Sequence, residues 1–446
     1  MPSFFMIYLH RQNFKIYAMK ILSLLIFLIF LPLSMSSQIE GETQLPAPYA
    51  TKSVSNYSKV IGWKDGETPK APEGFTVNKY ADDFENPRWM YVLPNGDVIV
   101  AESNSNYSIL KQIGATIIGA GGSNNLKRSA DRITLLRDTN NDGVPDLRET
   151  FLTKNEGLNQ PFGMLLLDDF LYVANTDAVL RFPYKEGQTK ISEVGQKLVD
   201  LPAGKVNQHW TRNIIANKDG SKIFIAVGSA DNVGEKGMEH SEMKASILVM
   251  NPDGSDLKVF ASGLRNPVGM AWEPVTNTLW TSVNERDELG DNLVPDYLTS
   301  VMEDGYYGWP YSYWGNNFDP RVEIPAHIRL KEAIVPEVDL GSHTASLGLV
   351  FYTADAFPEK YGNGAFVVQR GSWNRDVLSG YRVVFIPFEN GKPSSIHEDF
   401  LTGFIVDEGK DKVRGRPVGA VVLQDGSMLI TDDATHHIWR VAFTGK

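Results

Sequence analysis

The stretch "RNPVGMAWEPVTNTLWTSVNE", residues 265–285, contains the pattern that decides the fold. An apolar run, "PVGMAW", is followed by turn residues and then by a second apolar run, "LWTSV". Two short β-rich runs separated by a turn predict a pair of antiparallel strands. Because such a hairpin brings its two ends together, we expect the polar residues before and after it to lie at one edge of the sheet.

Five more segments follow the same pattern. They are "NPRWMYVLPNGDVIVAES" (86–103), "NQPFGMLLLDDFLYVANT" (159–176), "HWTRNIIANKDGSKIFIAVGS" (209–229), "HTASLGLVFYTADAFPEKYGNGAFVVQRGS" (343–372) and "RGRPVGAVVLQDGSMLITDD" (414–433). Successive copies start 50 to 78 residues apart, which leaves room for two more strands in each unit. Six copies predict an all-β fold, a six-bladed β-propeller, formed by residues 72–446. A pair of β-sandwiches is the alternative architecture.

The first 71 residues do not follow this pattern. Three cationic residues, Arg11, Lys15 and Lys20, precede an apolar run at 21–33 and then small residues. This order predicts a secretory signal peptide over residues 1–37, with Met19 as a possible start, and a retained single-span anchor is the alternative. Residues 38–71 are then a loose N-terminal extension. We expect an exported protein, periplasmic or extracellular, with no membrane span in its mature part.

Composition excludes several classes of function. The chain has no cysteine, so it has no disulfide framework, no thiol nucleophile and no covalently attached c-type haem. Its formal charge is −11, and the mature part is near −14 because the first 37 residues hold three cations and no acids. A nucleic-acid partner is not expected without a basic footprint.

Cations and amides nevertheless gather at the polar ends of the six units. If the first strand of each unit lines the central channel, these residues converge around one opening. They are Arg88, Asn159, Gln160, His209, Arg212, Arg265, Asn266, His343, Arg370, Arg414 and Arg416. Guanidinium groups match carboxylates bidentately, so the pattern indicates an anionic ligand. The alternative is that each arginine only bridges neighbouring blades.

Several of these motifs together resemble a known family. They are "HWTRN", "GLRNPVGMAWEP", "VNERDELGDNLVPDYLTSV", "YYGWPYSYWG", "GSHTASLGLVFY", "GSWNR" and "RGRPVG". The sequence resembles the L-sorbosone dehydrogenase-like family and, more distantly, the soluble quinoprotein glucose dehydrogenases, over nearly the whole mature chain. The resemblance implies a six-bladed propeller, a pyrroloquinoline quinone (PQQ) cofactor on the axis, Ca²⁺, and oxidation of a sugar or sugar aldehyde.

The resemblance also assigns roles to individual residues. His209 matches the general base that takes the proton of the substrate hydroxyl, a task that suits the ordinary pKa of imidazole. Arg265 matches a catalytic contact to the quinone oxygens, where negative charge develops on reduction. The remaining expected cofactor contacts are Gln160, Arg212, Asn266, Arg370, Arg414 and Arg416. Arg414 and Arg416 lie two apart on an extended segment and are therefore expected to point to the same side.

Two stretches are candidates for calcium. The resemblance places one ion at "NERDELGD", where the main-chain carbonyls of Glu285 and Arg286 would hold it with Asp287 or Asp291 as a further ligand. The alternative is a solvated acidic loop. The second stretch, "RDTNNDGVPDLRETF" at 137–151, has EF-hand ligand spacing. Its candidate ligands are Asp138, Asn140, Asp142, Asp146 and Glu149. Short strand-like runs flank it, so we interpret it as a long turn in the first blade, where a structural calcium remains open.

The sequence therefore predicts a PQQ- and Ca²⁺-dependent dehydrogenase that acts on a small sugar, polyol or aldehyde. Without cysteine or attached haem, electrons must leave through a separate electron acceptor. Two other functions stay open: a calcium-dependent propeller lactonase or hydrolase, and a non-catalytic carbohydrate-binding propeller.

Overall fold

The computed structural model describes residues 44–106, 114–116, 120–123, 126–326, 332–407 and 410–445. Residues from Leu45 onward form one compact unit. The predicted signal peptide lies outside the described residues. No helix in the described part of the chain has the length and apolarity needed to span a membrane.

β-strands are the main regular secondary structure of the described chain. Two strands, β1 (Lys59–Val60) and β2 (Phe75–Ala81), precede the repeated units. The first blade contains β3 (Pro87–Val92), β4 (Val98–Glu102), β5 (Arg132–Arg137) and β6 (Leu147–Thr153). The second contains β7 (Met164–Leu167), β8 (Phe170–Ala174), β9 (Ala178–Pro183) and β10 (Gln196–Asp200). The third contains β11 (Arg212–Ala216), β12 (Ile223–Val227), β13 (Ser246–Met250) and β14 (Lys258–Ser262).

The second half of the chain repeats this arrangement. The fourth blade contains β15 (Pro267–Trp272), β16 (Leu279–Val283), β17 (Pro295–Ser300) and, after the short pair β18 (Ser312–Tyr313) and β19 (Asn317–Phe318), β20 (Val338–Ser342). The fifth contains β21 (Ser346–Phe351), β22 (Ala365–Gln369), β23 (Arg382–Ile386) and, after the pair β24 (Phe388–Glu389) and β25 (Lys392–Pro393), β26 (Glu398–Leu401). The sixth contains β29 (Pro417–Val422), β30 (Met428–Asp432), β31 (His437–Phe443) and the N-terminal β2.

The remaining elements are small. A three-stranded sheet joins β1, β27 (Ile405–Asp407) and β28 (Lys410–Val413). Single 3₁₀ turns lie at Ala120–Ser123, Lys154–Glu156, Met238–His240 and Glu359–Tyr361. In the described residues the chain thus forms six four-stranded antiparallel sheets. The prediction of an all-β propeller is confirmed.

Burial explains why the second strand of each unit reads as an apolar run. All five residues of β4, β12, β16, β22 and β30 are buried, because each sheet packs against a neighbour on both faces. The fourth strand lies at the outer edge, and β10 and β14 are largely exposed. The innermost strands β3, β7, β11, β15, β21 and β29 each contact the next one around the ring.

A glycine in the first strand of four units permits this close approach near the axis. A Cβ on Gly269 would lie 2.5 Å from the carbonyl oxygen of Leu347 in the next blade. The equivalent atom on Gly419 would lie 2.7 Å from the carbonyl oxygen of Arg88. Only glycine lets two backbones come this close. Gly163 and Gly348 occupy the same place in their units.

Two ends of the chain close the ring. β2 pairs with β31, so the N-terminal strand forms the outer edge of the sixth blade. The residues before β2 were expected to be a loose extension, and the described part of them is instead attached to the propeller. Lys59 and Val60 pair with β28, and Tyr49 donates its backbone N–H to Leu289. Backbone hydrogen bonds, which the sequence does not reveal, hold this segment.

Candidate active site

The polar ends of the six units lie at one end of the inner strands. Antiparallel pairing places Pro267 opposite Val283 and Pro417 opposite Asp432, so each first strand begins where its second strand ends. We call this end the mouth. The residues that precede each first strand and those that follow each second strand all belong to it.

Three arginines from different parts of the mouth converge on one carboxylate. Arg88 Nη1 lies 2.5 Å from Asp433 Oδ2, and Arg370 contacts the same oxygen at 2.8 Å through Nε and Nη2. Arg416 Nε donates to Asp433 Oδ1 at 3.0 Å. These four residues, which we call the arginine cluster, join the first, fifth and sixth blades. The structure thus brings together Arg370 and Arg416 from the predicted set.

The arginine cluster is short of negative charge. Three guanidinium groups face one carboxylate, which leaves two positive charges in excess. Burial alone would raise the pKa of Asp433, yet the guanidinium groups of Arg370, Arg416 and Arg88 hold it well below its usual range. Arg416 Nη2 and Arg88 Nε are buried without a hydrogen-bond partner among the described residues. Buried donors of this kind need an acceptor, and a ligand carboxylate provides one.

Arg414 does not join this cluster, contrary to the prediction. Its guanidinium pairs with Glu67 at 3.0 Å and lies over the ring of Trp63. Two residues on an extended strand share a side only where the strand is regular. Here β28 ends at Val413 and β29 begins at Pro417, and the bend between them turns Arg414 and Arg416 toward different partners.

His209 lies at the mouth with a defined tautomer. Its Nδ1 lies 3.0 Å from the carbonyl oxygen of Ser229 and 2.9 Å from the Oγ of the same residue. Ser229 Oγ donates its only proton to the carbonyl of Asp231, so it can only accept from the ring. Nδ1 therefore carries the ring proton, and Nε2 is left as an unprotonated acceptor.

The surroundings keep His209 neutral. Burial, and next the positive charge of Arg265, lower the pKa of His209 to about 3. Asp287 opposes this shift, because a nearby carboxylate favours the protonated ring. The imidazole is half-buried, and at neutral pH it is a base whose lone pair is on Nε2.

Asn266 lies next to His209. A Cβ on Gly228 would lie 2.3 Å from Asn266 Oδ1 and 2.5 Å from the Cβ of His209, so both side chains press against this glycine. Asn266 is 6% exposed, and its Oδ1 has no hydrogen-bond partner within the described chain. Asn266 Oδ1 is a buried acceptor without a partner, and it lies beside an unprotonated imidazole. A polar ligand at this place can donate a hydrogen bond to it.

Arg265, the predicted contact to the quinone oxygens, lies at the mouth just before β15. Its five N–H groups already have acceptors at Asn232, Asn284, Glu285 and Asp287. The shortest of these contacts, 2.6 Å, goes to the carbonyl oxygen of Glu285. Arg265 is 2% exposed and influences His209 through its charge. Asn266 is therefore the member of this pair with a side chain left for a ligand.

Arg212, one of the predicted cofactor contacts, is fully buried and supports the backbone. Its guanidinium donates to the carbonyls of His209, Thr211 and Pro202 at 2.8–2.9 Å. It also donates to Asn207 Oδ1 at 2.8 Å. These bonds fix the turn that carries His209, because one planar group ties together four acceptors from that turn.

Gln160 also contacts protein. Its side-chain amide donates to the carbonyl of Asn104 at 2.8 Å, and its backbone N–H donates to Asp131 Oδ1 at 2.8 Å. The residue adopts a left-handed backbone conformation, with φ of 48°. It ties the first blade to the second at the mouth.

Two of the three predicted calcium ligands at 285–287, the carbonyl of Glu285 and the carboxylate of Asp287, contact cationic side chains. The carbonyl of Glu285 accepts from Arg265, and the Arg286 guanidinium, which is fully buried, pairs with Glu285 and Asp319. Asp287 accepts from Arg265 at 3.2 Å and lies 3.3 Å from His343 Nδ1. Both imidazole nitrogens of His343 face acceptors, and Asp287 lies between this ring and the guanidinium of Arg265. The donor set here does not fit a divalent cation.

The loop with EF-hand spacing connects β5 to β6 on the outer side of the first blade, as the flanking runs indicated. Its oxygens accept hydrogen bonds from its own residues. Asp138 accepts from the backbone N–H groups of Asp142 and Gly143, and Asp146 accepts from Thr139. Nowhere in the described ranges do three His, Asp or Glu side chains form a group that could hold a metal ion.

Some site residues were missed by the sequence analysis. Asp433 and Ser229 each follow the second strand of a unit, which is the position that the repeat pattern assigns to the mouth. The predicted set at this position contains only cations, histidines and amides. If acids and hydroxyls that follow a second strand are also assigned to the mouth, both residues are included.

The fold and the mouth define a class: an all-β propeller with a cationic ligand site and a neutral histidine at one end of its axis. The model of the glucose/sorbosone dehydrogenase family matches residues 171–369, which confirms the resemblance predicted from the motifs. A TrAA12-like family model matches residues 326–444.

Two individual proteins are similar to parts of this chain. An uncharacterized protein of Borreliella burgdorferi is 29% identical over 66% of this chain and 80% of its own length. An aldose sugar dehydrogenase of Escherichia coli is 32% identical over 38% of this chain and 48% of its own length.

Solved structures share the fold. A family AA12 carbohydrate-active enzyme of Trichoderma reesei aligns with a TM-score of 0.66 and 17% identity, over 87% of this chain and 100% of that one. The holo PQQ domain of a pyranose dehydrogenase from Coprinopsis cinerea aligns with a TM-score of 0.64 and 17% identity, over 86% and 100% of the two chains.

Proposed function

We propose that this protein is a PQQ-dependent dehydrogenase that oxidises a sugar hydroxyl or a hydrated sugar aldehyde. The observation that carries the proposal is the pairing, at one mouth, of an unprotonated His209 Nε2 with a buried cluster that has two unbalanced positive charges. The names of the relatives support it, because an aldose sugar dehydrogenase and a PQQ domain are among them.

The residues at the mouth fit the cofactor. PQQ carries three carboxylates on a planar ring system, and the arginine cluster has excess charge and buried donors for carboxylate oxygens. Asn266 Oδ1, an acceptor without a partner among the described residues, is available for a hydroxyl of the ligand. When bound, PQQ supplies the acceptor for the hydride of the substrate C–H bond.

The protein's own contribution is to hold the ligand and move one proton. His209 Nε2 accepts the substrate hydroxyl proton, while Ser229 fixes the ring through Nδ1. As His209 becomes positively charged, Asp287 stabilises it and Arg265 opposes it. Arg212 keeps the turn that carries His209 in place. The electron acceptor is a separate molecule.

No step is assigned to Ca²⁺. The residues expected to hold it at 285–287 are hydrogen-bonded or ion-paired with arginine and histidine. Cations at these distances oppose a second cation in the same place.

A titration and an assay test the proposal. The purified protein is titrated with PQQ, and binding is followed by quenching of tryptophan fluorescence. The loaded protein is then given aldoses and lactones in separate reactions with an artificial electron acceptor. We expect micromolar or tighter PQQ binding and sugar-dependent reduction of the acceptor. Lactone hydrolysis without PQQ, or sugar binding without any turnover, would overturn the proposal in favour of a hydrolase or a binding propeller.

A further inference from the structure

Residues 49–67, which we call the strap, run along the mouth and contact loops from three blades. The first contact is with the loop between β16 and β17. Tyr49 donates its N–H to the carbonyl of Leu289 at 2.7 Å, and Thr51 Oγ1 accepts from the N–H of Asp291 at 2.8 Å. This loop also carries Asp287, so the strap holds the segment beside the candidate base.

The second contact is with the loop that follows Arg370. Asn56 donates its N–H to the carbonyl of Trp373 at 2.7 Å, and the rings of Tyr57 and Trp373 are stacked. Asn374 Nδ2 donates to the carbonyl of Val54 at 2.9 Å, while its Oδ1 accepts from the N–H of Glu288 at 2.8 Å. One buried amide therefore joins the strap to the mouth loops of two blades.

The third contact reaches the arginine cluster. Trp63 Nε1 donates to Asp432 Oδ2 at 3.1 Å, and Asp432 Oδ1 accepts from the backbone N–H of Arg416 at 2.9 Å. Asp432 is fully buried and lies against Gly415, where even a Cβ would overlap its carboxylate. The position of the Arg416 backbone thus depends on a carboxylate that the strap also holds.

We propose that the strap is a positioning element of the ligand site, which fixes the loops around Asp287, Arg370 and Arg416 and thereby strengthens binding of the anionic cofactor. This inference rests on the proposed function. The strap lies outside both matched family ranges, which begin at residues 171 and 326, so nothing in those matches accounts for it. Ordering three loops before the ligand arrives lowers the entropy lost on binding.

The test removes one hydrogen bond of the strap. Trp63→Phe deletes the donor to Asp432 and keeps an aromatic ring against Phe404 and Trp439. The matched control is Trp272→Phe, which deletes an indole donor to the carbonyl of Ala216. Trp272 ends β15 and Ala216 ends β11, so the control lies at the end of the inner strands opposite the mouth.

Two measurements are made on both variants and on the wild type. Hydrogen exchange of the protein without cofactor reports the order of residues 287–291, 372–376 and 414–416. Titration with PQQ reports the dissociation constant. We expect Trp63→Phe to speed exchange at 414–416 and to raise the dissociation constant about tenfold, close to the loss of one hydrogen bond. Trp272→Phe should change neither.

The outcomes separate the two proposals. Equal PQQ affinity in Trp63→Phe and wild type would overturn the strap's role while leaving the proposed function intact. Absence of PQQ binding by the wild type would overturn the proposed function. In that case the exchange data still report whether the strap orders the loops. An equal loss of affinity in Trp272→Phe would mean that the effect is general destabilisation, and it would also overturn the inference.

Discussion

The two sides of the mouth differ in how their charges are balanced. On one side, the arginine cluster holds three guanidinium groups against Asp433, and some of its buried donors lack an acceptor in the described chain. On the other side, Arg265 and Asp287 are satisfied by neighbours, and His209 is kept neutral. Under the proposed function, the first side binds the anionic cofactor and the second accepts the substrate proton.

The largest expected effect comes from the proton-accepting side. His209→Gln removes the Nε2 lone pair, so we expect kcat to fall about 10²- to 10⁴-fold, the range typical of a lost general base. The dissociation constant for PQQ should change little, because the arginine cluster is intact. Steady-state kinetics with saturating cofactor, together with a PQQ titration, measures both. A variant with near wild-type kcat would remove His209 as the base.

The anion-binding side is tested by a pair of arginines two residues apart. Arg416→Ala deletes a buried guanidinium, and we expect the PQQ dissociation constant to rise about 10- to 100-fold, as for the loss of a charged hydrogen bond. Arg414→Ala deletes a partly exposed pair with Glu67 and should change it less than about fivefold. Fluorescence titration compares the two, and equal effects would contradict the division between them.

A smaller effect is expected in the pH dependence of stability. The pKa of His209 is about 3 in the native protein and near 6.5 in an unfolded chain, so between these values only the unfolded state binds the proton. The free energy of unfolding must therefore decrease as pH falls from 6.5 toward 3, and His209→Gln should lack this contribution. Urea denaturation at several pH values measures the difference. Parallel curves for the two proteins would contradict the lowered pKa.

The smallest effect is expected far from the mouth. Asp138→Ala removes the acceptor for two backbone N–H groups in the turn between β5 and β6, and should lower stability by about 1 kcal/mol. Neither kcat nor PQQ affinity should change, because the turn lies on the outer side of the blade. Thermal denaturation and the same titration test this. A loss of cofactor affinity would show that the loop is coupled to the mouth.

Much of the fold could be predicted because its signals are local. Buried second strands such as β12 and β22 are continuous apolar runs, and hairpins are marked by turn residues between them. The glycine in or next to the first strand of several units can be read from the sequence. The reason for it, close contact with the backbone of the next blade, cannot. Antiparallel pairing of the first two strands was enough to predict that the polar ends of the units lie together.

The partners of individual arginines could not be predicted. Four arginines lie at the start of first strands or just before them, yet their partners differ. Arg212 supports a turn, Arg265 is saturated by neighbours, Arg414 pairs with the strap and Arg416 belongs to the arginine cluster. A long arginine side chain can reach acceptors in several blades. The bend at residue 414 changes which of these acceptors the guanidinium contacts. Sequence spacing carries no information about acceptors that are distant along the chain.

The sequence by itself determined the propeller, the set of polar residues at one mouth and the histidine among them. These depend on strand periodicity and hairpin closure, which act within about twenty residues. Only the tertiary structure decided the tautomer of His209, the central place of Asp433 and the course of the strap. The last two depend on contacts between segments up to hundreds of residues apart, which exist only when the ring has closed. The tautomer depends on Ser229, 20 residues from His209, because the direction of its hydroxyl is set by the folded turn.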